Sequence, residues 1–289
     1  MQRRTVLGGL GALALAAVGC RPRVHAAPVL RPSGAMRVMT LNLAHGRGLA
    51  PAHGLVRESD RFRRNLDAVA AVLAREAPDI VALQEAELGS RSAGDFDHVG
   101  YLARASGYAE VVATPHMNEA GRYRYGTAVL SRLPVVDRGG GDFQTQSRWR
   151  KGFTRAAVRW QGEEVSVVAL HLDFARARRR RAQLGEVAEA LADEGRPLVV
   201  MGDFNSTWTE RDPSGLVAFT RRLGLRPWAP ELGRRDGVGT FPAMGRRLDW
   251  ILVSESLHFA GYATLQEDRV SDHVPVLADL RWHAGARAA

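Results

Sequence analysis

The sequence predicts an α/β fold, a single domain of two packed sheets covered by helices. Two observations carry that prediction. Short, β-prone apolar runs recur along the chain, and each half carries one helix-rich insertion where the apolar spacing takes the helical period. No internal repeat and no linker interrupts the chain after residue 36, and 45 % apolar content over 289 residues is ordinary for a globular core.

The elements follow in order. "MRVMTLNL", Met36 to Leu43, reads as a strand ending near Asn42. From Arg61 to Ala77, Phe62, Leu66, Val69 and Leu73 lie at helical spacing, and Pro78 stops that helix. "DIVALQE" is a short strand ending in Gln84 and Glu85. After a turn-rich stretch from Leu88 to Phe96, Leu102 to Ala109 reads as a short helix and loop. Tyr125 to Val136 reads as one strand broken by Pro134. "FTRAAVRW" and "EEVSVVALHL" form a hairpin around Gln161-Gly162. Leu184, Val187 and Leu191 mark a helix whose first turn, Arg178 to Arg181, is a solvated face. A strand then runs into "GDFNS", Leu216, Phe219 and Leu223 mark another helix, and "LDWILVS" and "HVPVLADLRW" are the last strands. Residues 138–153 and 226–247 read as long loops, where Trp149, Phe153, Trp228 and Phe241 either close core edges or touch a base or a membrane.

The N-terminus reads as an export signal. Arg3 and Arg4 precede an apolar run from Val6 to Gly19, too short for the roughly 17–25 residues of a membrane span. The paired arginines resemble a twin-arginine signal. Cys20 follows "AAVG", which resembles a lipobox and makes Cys20 a candidate lipidation site; cleavage after "VHA" is the alternative. Residues 1–19 or 1–26 are then the signal, 27–35 a tether and 36–283 the domain. The expected product is an exported monomer, periplasmic or membrane-anchored. It has no disulfide, because Cys20 is the only cysteine.

The charge balance, 40 Lys+Arg against 31 Asp+Glu, favours anionic partners. Only one of the 40 is a lysine, Lys151. The chemistry lies in what ends the strands: Asn42, Glu85, His171, Asp203, Asn205, Asp249, Asp272 and His273. Each is costly to bury unpaired. One such residue at a strand end is an ordinary turn former, but eight at six strands describe a site. In "GDFN", Asp203 and Asn205 share one side of the strand and Phe204 takes the other. Carboxylate and amide oxygens without thiols favour Mg²⁺ or Mn²⁺, and two imidazoles can move protons.

"TLNLAHG", "DIVALQE", "YGTAVLSRLPV", "VVALHLD", "VVMGDFNS", "RLDWILVS" and "SDHVPV" occur in an order that resembles the endonuclease/exonuclease/phosphatase family, over residues 36 to 281. The resemblance implies a four-layer α/β/β/α sandwich and metal-dependent hydrolysis of a phosphoester, carried by nucleic acid or a phospholipid head group. It implies Asn42, Glu85 and Asp272 on the metal side, with Glu85 the principal ligand. Asp203 would orient or deprotonate the attacking water, Asn205 would bond the phosphate, and Asp249 with His273 would form the Asp–His pair. His171 is similar to the histidine of the deoxyribonuclease and sphingomyelinase branches. His45, Arg47 and Arg155 are candidate substrate contacts, against the plainer alternatives of a satisfied loop histidine and ion-paired arginines. Arg180 has the same alternatives.

Overall fold

The computed structural model describes residues 28–50, 58–119, 122–209, 215–231, 237–266 and 268–285. The signal segment and Cys20 lie outside the described residues. Four layers build the domain. One sheet contains β1 (Met36–Asn42), β2 (Ile80–Glu87), β3 (Glu110–Glu119), β4 (Tyr123–Ser131), β11 (Leu257–Thr264) and β12 (Val276–Trp282). The other contains β5 (Val135–Asp142), β6 (Gly152–Trp160), β7 (Glu163–His171), β8 (Leu198–Asp203), β9 (Leu225–Pro227) and β10 (Asp249–Ser254). Their orders are β11-β12-β1-β2-β4-β3 and β5-β6-β7-β8-β10-β9. Both sheets are mixed: β1/β2 and β7/β8 run parallel, the other pairs antiparallel.

Side-chain alternation sorts each strand between two cores. Met36, Val38, Ile80 and Ala82 meet Val165, Val167, Ala169, Val199, Met201, Ile251 and Val253 between the sheets. The alternate residues Leu41, Val81 and Leu83 pack under α1 (Ser59–Glu76) and α2 (His98–Ser106). Val168, Leu170, Val200 and Leu252 pack under α3 (Ala177–Ala190) and α4 (Leu216–Arg222), against Leu184, Val187 and Phe219.

The same alternation positions the polar strand ends. On β7 the inward series Val165, Val167, Ala169 continues to His171. On β8, Val199 and Met201 continue to Asp203; on β10, Val253 and Ile251 lead back to Asp249; on β1, Met36 and Val38 lead to Thr40 and Asn42. In register, His171 lies opposite Asp203 and Asp203 opposite Asp249. The apolar inter-sheet core therefore ends at one pole in a polar layer.

Tyr125 to Val136 is not one broken strand. Pro134 separates β4 from β5, which lie in different sheets. The loop expected over 138–153 is strand at both ends, leaving residues 143–151 as the connection. β3, β9 and β11 go beyond the elements expected from the sequence.

At the opposite pole the N-terminal lead is tied down. Val29 N donates to Glu76 Oε2 at 3.0 Å, and Arg31 pairs with Asp79 at 2.5 Å. Arg37, 2 % exposed, makes a two-pronged bond to Asp279, each arm 2.8 Å.

Gly202 is required where β7 and β8 run side by side. Its φ is +148°, and a Cβ there would sit 2.0 Å from the Leu170 carbonyl oxygen. Gly202→Ala is expected to cost roughly 2–4 kcal/mol through backbone displacement. A shift of the urea midpoint to lower concentration, with unchanged far-UV dichroism at zero urea, is the expected readout.

Candidate active site

The polar pole gathers its residues from both sheets. Asn42 Nδ2 donates to Asp203 Oδ2 across the sheet interface at 3.1 Å, while Asn42 Oδ1 accepts from Ala44 N at 2.9 Å. The next turn brings Asn205 into place. Its backbone N–H donates to Asp203 Oδ1 at 2.8 Å and its side chain to the Leu172 carbonyl at 3.0 Å. Asn205 has φ +49°, the left-handed region that asparagine tolerates better than most residues.

Asp249 and His273 form a buried pair, His273 Nδ1 lying 2.8 Å from Asp249 Oδ2. Thr240 Oγ1 accepts from the backbone N–H groups of Leu248 and Asp249 and holds the carboxylate's strand end. The other imidazole nitrogen, Nε2, points to Asp203 Oδ2 at 3.7 Å. Burial opposes charge on His273, but Asp249 and Asp203 outweigh it and push the imidazole up to about 10. Asp203 is raised, first by burial and then by Asp249.

Glu85 reaches the site through an irregularity in β2. The register against β4 shifts between Leu83 and Ala86, and Glu85 takes φ +49°. Such a bulge re-aims a side chain and stores local strain. Burial would raise Glu85, yet His45, Lys151, His171 and His273 hold it well below the usual carboxylate range. His45, at φ +55°, lies 2.6 Å from Glu87 through Nδ1 and 3.4 Å from Glu85 through Nε2. Its substrate-contact alternative thus meets a histidine already bonded to carboxylates.

Lys151 is a central residue that the sequence reading did not assign. It is 5 % exposed, with Nζ 2.9 Å from His171 Nε2 and 3.6 Å from Glu85 Oε1. Burial lowers it, and the negative charges of Glu85 and Asp203 oppose that fall. His171 is well below its usual value, through burial and then Lys151, so the ammonium lies against a neutral ring, 3.0 Å from Nδ1 and 2.9 Å from Nε2. His171 Nε2 also approaches Asp203 Oδ2 at 3.4 Å. The available signal was twofold: Lys151 is the chain's single lysine, and it abuts a strand whose first residue, Gly152, pairs with His171.

The remaining candidates divide. Asp272 lies at the rim, where Arg47 pairs with it while also donating to the Ala50 carbonyl. Arg155 is not in the cluster. It lies three residues along β6 from the site end and pairs with Asp137 at 2.8 Å and Glu194 at 3.0 Å, so it acts as an ion-paired strand residue. Arg180 donates to the Asp173 carbonyl at 3.1 Å, at the start of α3. Trp228 stacks on Tyr262 at 4.4 Å and Phe153 packs into the α3/α4 core, as edge residues do.

Asp203, Asp249 and His273 offer three ligand-type atoms within 4.8 Å of one another. A metal there conflicts with the hydrogen bonding, because His273 Nδ1 is engaged by Asp249 and the imidazole holds its proton. Glu85, facing cationic groups at loose distances of 3.4 and 3.6 Å, and Asn42 Oδ1 are the better oxygen donors. This set fits a hard divalent ion.

A model of the endonuclease/exonuclease/phosphatase family matches residues 39–273. The chain belongs to that family. Family members are hydrolases of phosphoester bonds. A solved endonuclease/exonuclease/phosphatase from Beutenbergia cavernae is similar at 24 % identity, with a TM-score of 0.70 over 88 % of this chain and 73 % of that one. The Bacteroides thetaiotaomicron mannosyl-6-phosphatase is similar at 17 % identity, TM-score 0.65, over 86 % of this chain and all of that one. The human Nocturnin catalytic domain is similar at 20 % identity, TM-score 0.64, over 88 % and 97 %. These identities establish the shared fold. A UPF0294 protein of Erwinia tasmaniensis is 32 % identical over 101 residues, so the match spans about a third of that relative, 35 % of its length.

In this endonuclease/exonuclease/phosphatase-family site the charge on His273 depends on Asp249. Asp249→Asn removes the main charge that raises His273 but leaves the burial, so the His273 pKa should fall well below about 10. NMR of the imidazole across pH 5 to 9 should show no titration in the parent below about pH 8 and a titration in Asp249→Asn.

Proposed function

We propose that the protein is an exported, Mg²⁺- or Mn²⁺-dependent phosphodiesterase. The Asp249–His273 pair held beside Asp203 at the polar pole is the observation that carries this reading. Asn42, Glu85 and, at the rim, Asp272 would hold the ion. When bound, the ion would neutralise phosphoryl charge and orient the ester oxygens.

The chain's own residues supply the rest. Asp203 receives hydrogen bonds from Asn42 and the Asn205 backbone, which fix one carboxylate geometry toward an attacking water. Asn205 stands two residues on, beside the phosphate. Protonated His273 offers Nε2–H to a phosphoryl oxygen, and Asp249, accepting from Nδ1–H, keeps its orientation and charge. Lys151, held against the His171 ring and Glu85, supplies a second fixed cation.

His171, similar to the histidine of the deoxyribonuclease and sphingomyelinase branches, favours a diester. The mannosyl-6-phosphatase neighbour supports a monoester as the second reading. The complete cluster argues against a non-catalytic binding module.

Export and lipidation at Cys20 rest on the N-terminal sequence. Mass spectrometry of the processed chain distinguishes a lipidated Cys20 from cleavage after Ala26.

The decisive assay offers bis-p-nitrophenyl phosphate, plasmid DNA, RNA, sphingomyelin, phosphatidylinositol and an inositol phosphate, with Mg²⁺ and with EDTA. Chelator-sensitive diester cleavage is expected. Asp203→Ala and His273→Ala should each lower kcat by about 10²–10⁴-fold while the fold persists. Turnover of monoesters alone would overturn the diester preference.

A further inference from the structure

Five large apolar side chains are exposed among the described residues: Leu30, Val136, Trp149, Phe174 and Met244. Three belong to segments at the catalytic mouth. Trp149, 37 % exposed, stands two residues before Lys151, within about 7 Å of chain. Phe174, 60 % exposed, stands three residues after His171, within about 11 Å. Met244, 49 % exposed, belongs to the turn in which its N–H donates to the Phe241 carbonyl at 3.2 Å. The half-buried Phe241 ring lies 4.9 Å from the His273 ring. Exposed apolar residues therefore stand on three separate segments that adjoin Lys151, His171 and His273, and the Phe241 ring packs against His273 itself.

Scattered exposed apolar residues need no explanation, but three of five in segments that adjoin one polar site call for one. We propose that Trp149, Phe174 and Phe241, with Met244, form a lip that binds a flat aromatic ring carried by the phosphoester, a nucleobase or an aryl group. The proposal rests on the phosphodiesterase reading and specifies the organic group of its substrate. Base–aromatic stacking needs only one or two rings and tolerates polar surroundings.

The surroundings favour this occupant over a lipid surface. Insertion into a bilayer needs a continuous apolar face. Here single residues are separated by exposed Arg148, Arg150 and Arg176, and the Arg148 guanidinium lies 5.0 Å from the Trp149 ring centre. The N-terminal lead, where a membrane tether would attach, is bonded at the other pole through Val29 and Arg31. The seven residues of β1 separate it from the mouth by about 20 Å.

Calorimetric binding of adenosine 5′-monophosphate and ribose 5-phosphate in Mg²⁺ tests the lip without requiring turnover. The two probes share the sugar phosphate and differ by the base. The parent should bind the nucleotide at least about 5-fold more tightly, the low end of one stacked base. Trp149→Ala and Phe174→Ala, both at exposed positions, should erase most of that ratio and leave ribose 5-phosphate affinity within about twofold. Equal affinity of the parent for both probes would overturn the proposal. So would an equal loss for both probes, or a ratio that the variants preserve. Sedimentation with anionic phosphatidylglycerol vesicles that Trp149→Ala abolishes, without base discrimination, would assign the lip to a membrane instead. Failure of the phosphodiesterase reading is separate: it appears as absent turnover in the substrate assay.

Discussion

Three carboxylates brought between two sheets set the terms for the rest of the molecule. Asp203 and Asp249 stand at the ends of strands whose inward positions are otherwise apolar and are withdrawn from bulk water, while Glu85, near the end of β2, is half-buried beside them. A buried anion requires partners or a proton. Lys151 stands against Glu85, His273 against Asp249 and Asp203, and Asn42 with the Asn205 backbone bonds Asp203 directly. The compensating groups come from different strands, so the electrostatic balance exists only when both sheets are in register. Fold and site are therefore one cooperative arrangement.

That dependence explains which parts of the molecule were legible in the sequence. His171, Asp203 and Asp249 occupy the next inward position after an apolar series, Asn42 follows one with Thr40 between, and period-two alternation reveals all four. Glu85 carries the right residue type, but its inward turn depends on a bulge and a left-handed backbone that no periodicity encodes. Lys151 precedes its strand and was noticed only as a compositional oddity. Arg155 was tied to the site by residue type alone, and the structure places it in an ion-pair network with Asp137 and Glu194.

The strands that were hardest to read are the four sheet edges, β3, β5, β9 and β11. Edge strands need not be apolar on both faces and tolerate proline, glycine and charge. β3 contains Pro115, β5 contains Gly139 to Gly141, β9 ends on Pro227 and β11 bulges near Gly261. The central strands, buried on both sides, spell out their own positions; the margins are defined by their neighbours.

A final consequence concerns the solitary lysine. An endoprotease that cuts only after lysine has a single target bond in these 289 residues, and it joins Lys151 to Gly152 at the floor of the catalytic cluster. In the closed protein that bond is shielded, since both residues are buried. Limited digestion would convert the chain into two fragments of nearly equal length only as often as this pole opens. The rate of that one cut is a gauge of local breathing at the site, read without label, ligand or substrate.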